Sequence, residues 1–223
     1  MEEIRMLDMK SWPRAEHYRH FTVEDPCSFS FTDDVDVTEL KRICVRGGPS
    51  FHLTFLWLVA CAVNAHEEFR MTAVDSPDAP FPMPGVWDAV HPVHNVFHES
   101  TQTSTSTFTL FSPDHGEFCA RAREDIEKAR SLKVMSIPGP ANVFETSALP
   151  WRHFTSVGVR SDGVSLAPVI VWGGFREERG RTFLPLSVSI AHAAADGFHV
   201  SRLIGEIEAA GKAFAAGRKE VFL

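Results

Sequence analysis

Phe183-Leu-Pro-Leu-Ser-Val-Ser-Ile-Ala-His192, followed by Ala193-Ala-Ala-Asp196-Gly197, decides the fold class. Leu184, Leu186, Val188 and Ile190 recur every second residue, which marks a strand buried on one face. His192 is next on that face. It is expected to be partly withdrawn from water and neutral, as a general base must be. Three alanines let the backbone pack closely. Asp196-Gly197 then caps a helix expected to run from Gly197 to Ala216, with Leu203, Ile207, Ala210 and Phe214 on one side. On spacing alone a plainer reading stands beside the catalytic one: a strand-end His and an Asp that only caps a helix.

Outward from that stretch, helices and strands mix without a regular βαβ rhythm. Phe29-Ser-Phe-Thr starts a strand. Glu39 to Val45 reads as a helix closed by Gly47-Gly48-Pro49. Leu53 to Asn64 is apolar nearly all round, the pattern of a core helix. Residues 75 to 86 hold four prolines and no usable period, so a loop is expected there. Val93 to Phe111 is rich in Thr and Ser and alternates in part, as strands do. Gly116 to Leu132 is helical, with Phe118, Ala122, Ile126 and Ala129 as its apolar stripe. Short strand-like runs follow at Phe154–Arg160, Ala167–Trp172 and Phe183–Ala191. The expected fold is α/β, a two-layer sandwich of a mixed β-sheet and packed helices, with residues 1–223 forming a single domain.

A chain of 223 residues with 18 Phe and 5 Trp can bury a sizeable core. The formal charge of −7 argues against a nucleic-acid partner, which requires a basic surface. The longest apolar run, Phe55 to Val63, is too short to span a bilayer. The N-terminus is acidic and unlike a signal peptide. Cys27, Cys44, Cys61 and Cys119 lack C-x-x-C spacing and read as reduced thiols of a cytoplasmic chain.

His192-Ala-Ala-Ala-Asp196-Gly197-Phe198-His199-Val200 resembles the signature of chloramphenicol acetyltransferases. Trp12-Pro-Arg14-Ala-Glu16-His17-Tyr18, Pro26-Cys27-Ser-Phe29-Ser and Thr146-Ser147-Ala148-Leu149-Pro150-Trp151 resemble three further motifs of that family, in the same order. Weaker similarity through Leu53–Arg70, Val86–His98 and Ala167–Gly173 extends the resemblance over nearly the whole chain. The resemblance implies that His192 deprotonates a substrate hydroxyl, which attacks the thioester of acetyl-CoA, the acetyl donor. It implies that Ser147 hydrogen-bonds the tetrahedral oxyanion, and that Asp196 and Arg14 form a buried ion pair supporting the active-site turn. It implies a homotrimer with active sites between subunits, the base coming from one and much of the acceptor pocket from its neighbour. Phe21, Cys27, Phe29, Asn95, Ser104, Val157 and Val171 fall at acceptor-pocket positions. No metal is implied.

The chain departs from the family pattern at several of these places. Ala191 replaces the first of two adjacent histidines. Glu145 stands where Asn is common and Val171 where a Thr helps order a water. Phe21 replaces a Tyr, and Asp25 stands near an apolar position. Ser104, Ser106, Val157 and Val159 change the size and polarity of the pocket, by about 1–3 kcal/mol for each lost apolar contact. Cys27 and Phe29 match. Acetylation of chloramphenicol is therefore expected, with the same chemistry on another hydroxyl acceptor, or a non-catalytic ligand-binding relative, as alternatives. A dihydrolipoamide or condensation-domain acyltransferase shares only the His-x-x-x-Asp-Gly pattern. His91-x-x-His94-x-x-x-His98 could suggest a metal, but on a strand His91 faces away from the other two.

Overall fold

The computed structural model describes residues 3–45, 47–159 and 165–218. In chain order the strands are β1 (Ile4–Met6), β2 (Ser28–Asp36), β3 (Met71–Val74), β4 (Met83–Trp87), β5 (His91–His98), β6 (Thr103–Phe108), β7 (Val143–Leu149), β8 (Val169–Gly173), β9 (Arg176–Glu178) and β10 (Arg181–Ala191). The helices are α1 (Ala15–Arg19), α2 (Thr38–Ile43), α3 (Phe51–Ala65), α4 (His115–Leu132) and α5 (Gly197–Ala215). A π-helical turn over His20–Glu24 follows α1 directly.

The main sheet has the order β2-β10-β8-β7-β5-β6, with β9 pairing β10. It is mixed, as expected: β7 runs parallel to both β5 and β8, and the remaining pairs are antiparallel. β1, β4 and β3 form a second, small sheet. Helices α3, α4 and α5 pack together and against the main sheet, making the second layer. Between them lie Leu184, Leu186, Val188 and Ile190 of β10, nearly inaccessible, together with Ile170, Phe144, Leu56 and Leu203. The apolar all-round pattern of α3 is explained by its position, since every residue from Leu53 to Val63 is buried.

Three expectations need correction. The proline-rich stretch is not a loop to its end, because Met83–Trp87 forms β4. Gly85 allows this: a Cβ there would lie 2.4 Å from Cγ2 of Ile4 in the neighbouring strand. The expected strand at Phe154–Arg160 is absent over 154–159, and Arg160 lies outside the described residues. That segment alternates like a strand, but serine hydroxyls take its backbone groups: the Val157 carbonyl accepts from Ser187 Oγ at 2.7 Å, and the Val159 N–H donates to Ser189 Oγ at 3.4 Å. The helix expected from Glu39 to Val45 is α2, which ends two residues earlier, at Ile43. In addition, β7 runs through Ser147, a strand not among those expected from the sequence.

Among the described residues no helix is long and apolar enough to cross a membrane. All four cysteines are free thiols.

Candidate active site

β10 ends at Ala191, and His192 opens the turn that follows. Its imidazole remains on the helix-covered side, where it stacks on Phe21 with ring centroids 4.0 Å apart and planes 3° from parallel. Phe29, the partner of Ile190 across the sheet, lies tilted at 5.4 Å. The π-helical turn presents Phe21 to this ring. The His192 N–H donates to the Cys27 carbonyl at 2.9 Å, so the chain leading into β2 holds the turn from one side. Nδ1 of His192 is buried without a hydrogen-bond partner.

The turn is tied from beneath. Arg14 Nη1 donates to Asp196 Oδ2 at 2.8 Å, and Arg14 Nη2 reaches the His192 carbonyl at 3.4 Å. One guanidinium thereby spans the turn from its first residue to its last. Within one chain the pair is partly buried, with side chains 18% and 33% exposed. Asp196 also caps α5, accepting from the Phe198 N–H at 3.1 Å, and His199 Nδ1 lies 2.8 Å from its Oδ1. Burial pushes the Asp196 carboxyl up, but hydrogen bonds from Arg14 and His199 outweigh it and hold it at about 2. Ala193, Ala194 and Ala195 are wholly buried, so any larger side chain there would overpack the turn.

Ser147 belongs to a different cluster. It sits on β7 opposite Val171 of β8, which in turn faces Ser187 of β10. These side chains leave the face away from the helices, where Ser187 and Ser189 bond Thr32 and Ser30 of β2. Val171 is buried, and Val157 crosses above it. Asn95 of β5 shares this face, accepting from Ser106 Oγ at 2.7 Å, and Ser104 lies exposed at the sheet edge opposite Phe97.

The register keeps the clusters apart. Ser147 is level with Ser187, and β10 runs four residues further before it ends at Ala191. At about 3.3 Å per residue along the strands and about 4.8 Å between them, that is roughly 13 Å along the sheet and 10 Å across it. One chain brings together His192, Phe21, Cys27, Phe29, Arg14 and Asp196, and it separates them from Ser147, Val171, Val157, Asn95 and Ser104.

His199 was missed by sequence reasoning. Its signal was its place at the third position of α5, where a capping box usually has Glu or Gln. The histidines of β5 are structural. His94 and His98 share the helix-covered face and bond Thr109 and Thr105, each at 2.9 Å, while His91 Nδ1 accepts from the Phe111 N–H. Burial, with His52 nearby, pushes His94 down to about 3. Among the described residues no cluster of His, Cys, Asp and Glu could hold a metal ion.

Comparison with known proteins identifies the relatives of this chain. The family described as chloramphenicol acetyltransferase matches residues 3–208. A chloramphenicol acetyltransferase of Streptomyces acrimycini is 37% identical over 207 residues, covering 91% of each chain. One of Proteus mirabilis is 33% identical over 208 residues, covering 92% of this chain and 93% of the relative. A solved chloramphenicol acetyltransferase superposes with a TM-score of 0.77, covering 92% of this chain and 98% of the other; at 24% identity that likeness speaks for the fold alone.

Proposed function

Because the chain belongs to the chloramphenicol acetyltransferase family and is an acyltransferase, we propose that it transfers acetyl from acetyl-CoA to a hydroxyl of chloramphenicol, with His192 as the general base. The observation that carries this reading is the locked imidazole. Phe21 stacks on one face of the ring, and Arg14 and Asp196 hold the turn beneath it. With Nδ1 buried, Nε2 is the nitrogen left for proton transfer.

In this reading Nε2 takes the proton of the acceptor hydroxyl as its oxygen attacks the thioester carbonyl. Ser147 donates a hydrogen bond to the oxyanion that forms. Collapse breaks the C–S bond, and the coenzyme A thiolate leaves with the proton returned by His192. Such a proton transfer is worth about 10²–10⁴-fold in rate. An oxyanion donor is worth about 10²–10³-fold.

The separation of Ser147 from His192 supports a site completed by a second copy. The reading therefore includes a homotrimer with active sites between subunits, each pairing the His192 cluster of one protomer with the Ser147 face of the next. The free thiols fit a reducing, cytoplasmic setting. A thiol-release assay with acetyl-CoA and chloramphenicol tests the chemistry. His192→Ala is expected to lose about 10²–10⁴-fold in turnover; a purified variant that keeps full release would sink the assignment.

A further inference from the structure

Glu145 is a carboxylate without a partner beside the reaction machinery. On β7 it stands two residues before Ser147, so both side chains leave the same face of the sheet. Its neighbours across the sheet are Val93 and Val169, neither of which can pair a charge. Among the described residues no hydrogen bond or ion pair reaches its carboxylate. The side chain meets solvent, yet the protein packed around the carboxyl pushes it above the ordinary carboxylate value.

Glu145 also lines a cavity of about 260 Å³ between the small sheet and the leading ends of β7 and β8. Among the described lining residues it is the one charged side chain; Trp87, Met71, Val143 and Val169 line it as well, with the polar Thr72 and Ser165. Complete small-molecule pockets run to about 300–1,000 Å³, so this space suits one arm of an acceptor. A carboxylate and an indole lining one recess of mixed polar and apolar surface are chemistry for an ammonium group, through charge pairing and cation–π attraction. A neutral acceptor seated there would strip water from the carboxylate and return nothing.

We propose that Glu145 selects acceptor alcohols that carry a protonated amine, pairing the ammonium while the neighbouring hydroxyl is acetylated. The inference rests on the acetyl-transfer chemistry proposed above and changes only the acceptor, setting amine-bearing alcohols ahead of chloramphenicol. The chemical step is unchanged. The acceptor O–H gives its proton to His192, the new ester C–O bond forms, the C–S bond breaks, and the coenzyme A thiolate takes the proton.

A matched pair of acceptors tests it. Chloramphenicol carries its nitrogen as a neutral amide. Replacing its dichloroacetamido group by dimethylamino keeps the nitrophenyl ring and both hydroxyls, and makes the nitrogen a tertiary ammonium that cannot take up acetyl as a stable amide. Thiol release from acetyl-CoA gives kcat/KM for each acceptor. The unsubstituted protein is expected to favour the amine by at least ~10-fold, the size of a hydrogen bond to a charged group. Glu145→Gln is expected to lower the amine-to-amide ratio by at least ~10-fold, and Glu145→Asp to retain the preference because it keeps the charge. If chloramphenicol is acetylated and the ratio does not move in Glu145→Gln, the selectivity is overturned while acetyl transfer stands. If neither acceptor releases thiol, both fall. Because the readout is a ratio within one variant, partial loss of folded protein does not alter it.

Discussion

At the scale of single residues, Asp196 joins chemistry to stability. Its carboxyl is held at about 2 in the folded chain, below its ordinary value of 3.8. A depressed carboxyl stabilises the fold fully above its unfolded value, and that stabilisation is lost as pH falls through the folded one. Acid unfolding is therefore expected to gain a component between about pH 4 and pH 2 that Asp196→Asn removes, followed by circular dichroism across that range. Arg14→Ala leaves the carboxylate to His199 and the Phe198 N–H alone and frees the His192 carbonyl. A hydrogen bond between charged groups is worth about 1.5–3 kcal/mol, and the one-third exposure of Asp196 places the cost near the low end. Thermal melts measure that cost. If the pair supports the turn, kcat should fall with it, whereas an unchanged kcat would make Arg14 a matter of stability alone.

Elements show where local pattern suffices and where it misleads. The strand β10 and helix α5 were legible because their periods of 2 and 3.6 both point at one core. The segment over 154–159 was misread because alternation says nothing about who bonds the backbone, and Ser187 and Ser189 take that role. The same crossing explains Gly173. A Cβ there would stand 2.7 Å from Pro185 and 2.9 Å from both the Arg152 carbonyl and the Phe154 ring. Gly173→Ala is expected to destabilise by about 1–3 kcal/mol through overpacking, read as a lower urea midpoint at unchanged m-value. Truncating Leu186, wholly buried in the centre of β10, should cost about 2–5 kcal/mol by leaving a cavity. β7 escaped the reading because Thr146-Ser-Ala-Leu-Pro carries turn-forming residues; its parallel pairing with β5 and β8 fixes it as a strand.

For the whole molecule, the proposed site requires two clusters on opposite faces of one sheet to act together. Subunit mixing tests this. His192→Ala and Ser147→Ala should each be nearly inactive alone. If each site joins His192 of one protomer to Ser147 of the next, co-refolding equal amounts should restore roughly one quarter of the sites, because random assembly pairs the two intact partners at that frequency. Activity that stays at the level of the single variants would mean that one chain supplies both residues, against the register of the sheet. The candidate site residues were named in the sequence by the resemblance of four ordered motifs to one family, not by spacing alone. His192 continuing an apolar face and Asp196 at a helix cap follow from local periodicity, which covalent geometry dictates, and the free thiols from the lack of C-x-x-C spacing. The sequence could not say that Phe21 stacks on His192, that the Arg14–Asp196 pair is half-buried, or that Glu145 has no partner. Nor could it say that Ser147 and His192 are held apart. Those facts depend on strand order and register, set by contacts between residues far apart in the chain, and only the tertiary structure decides them.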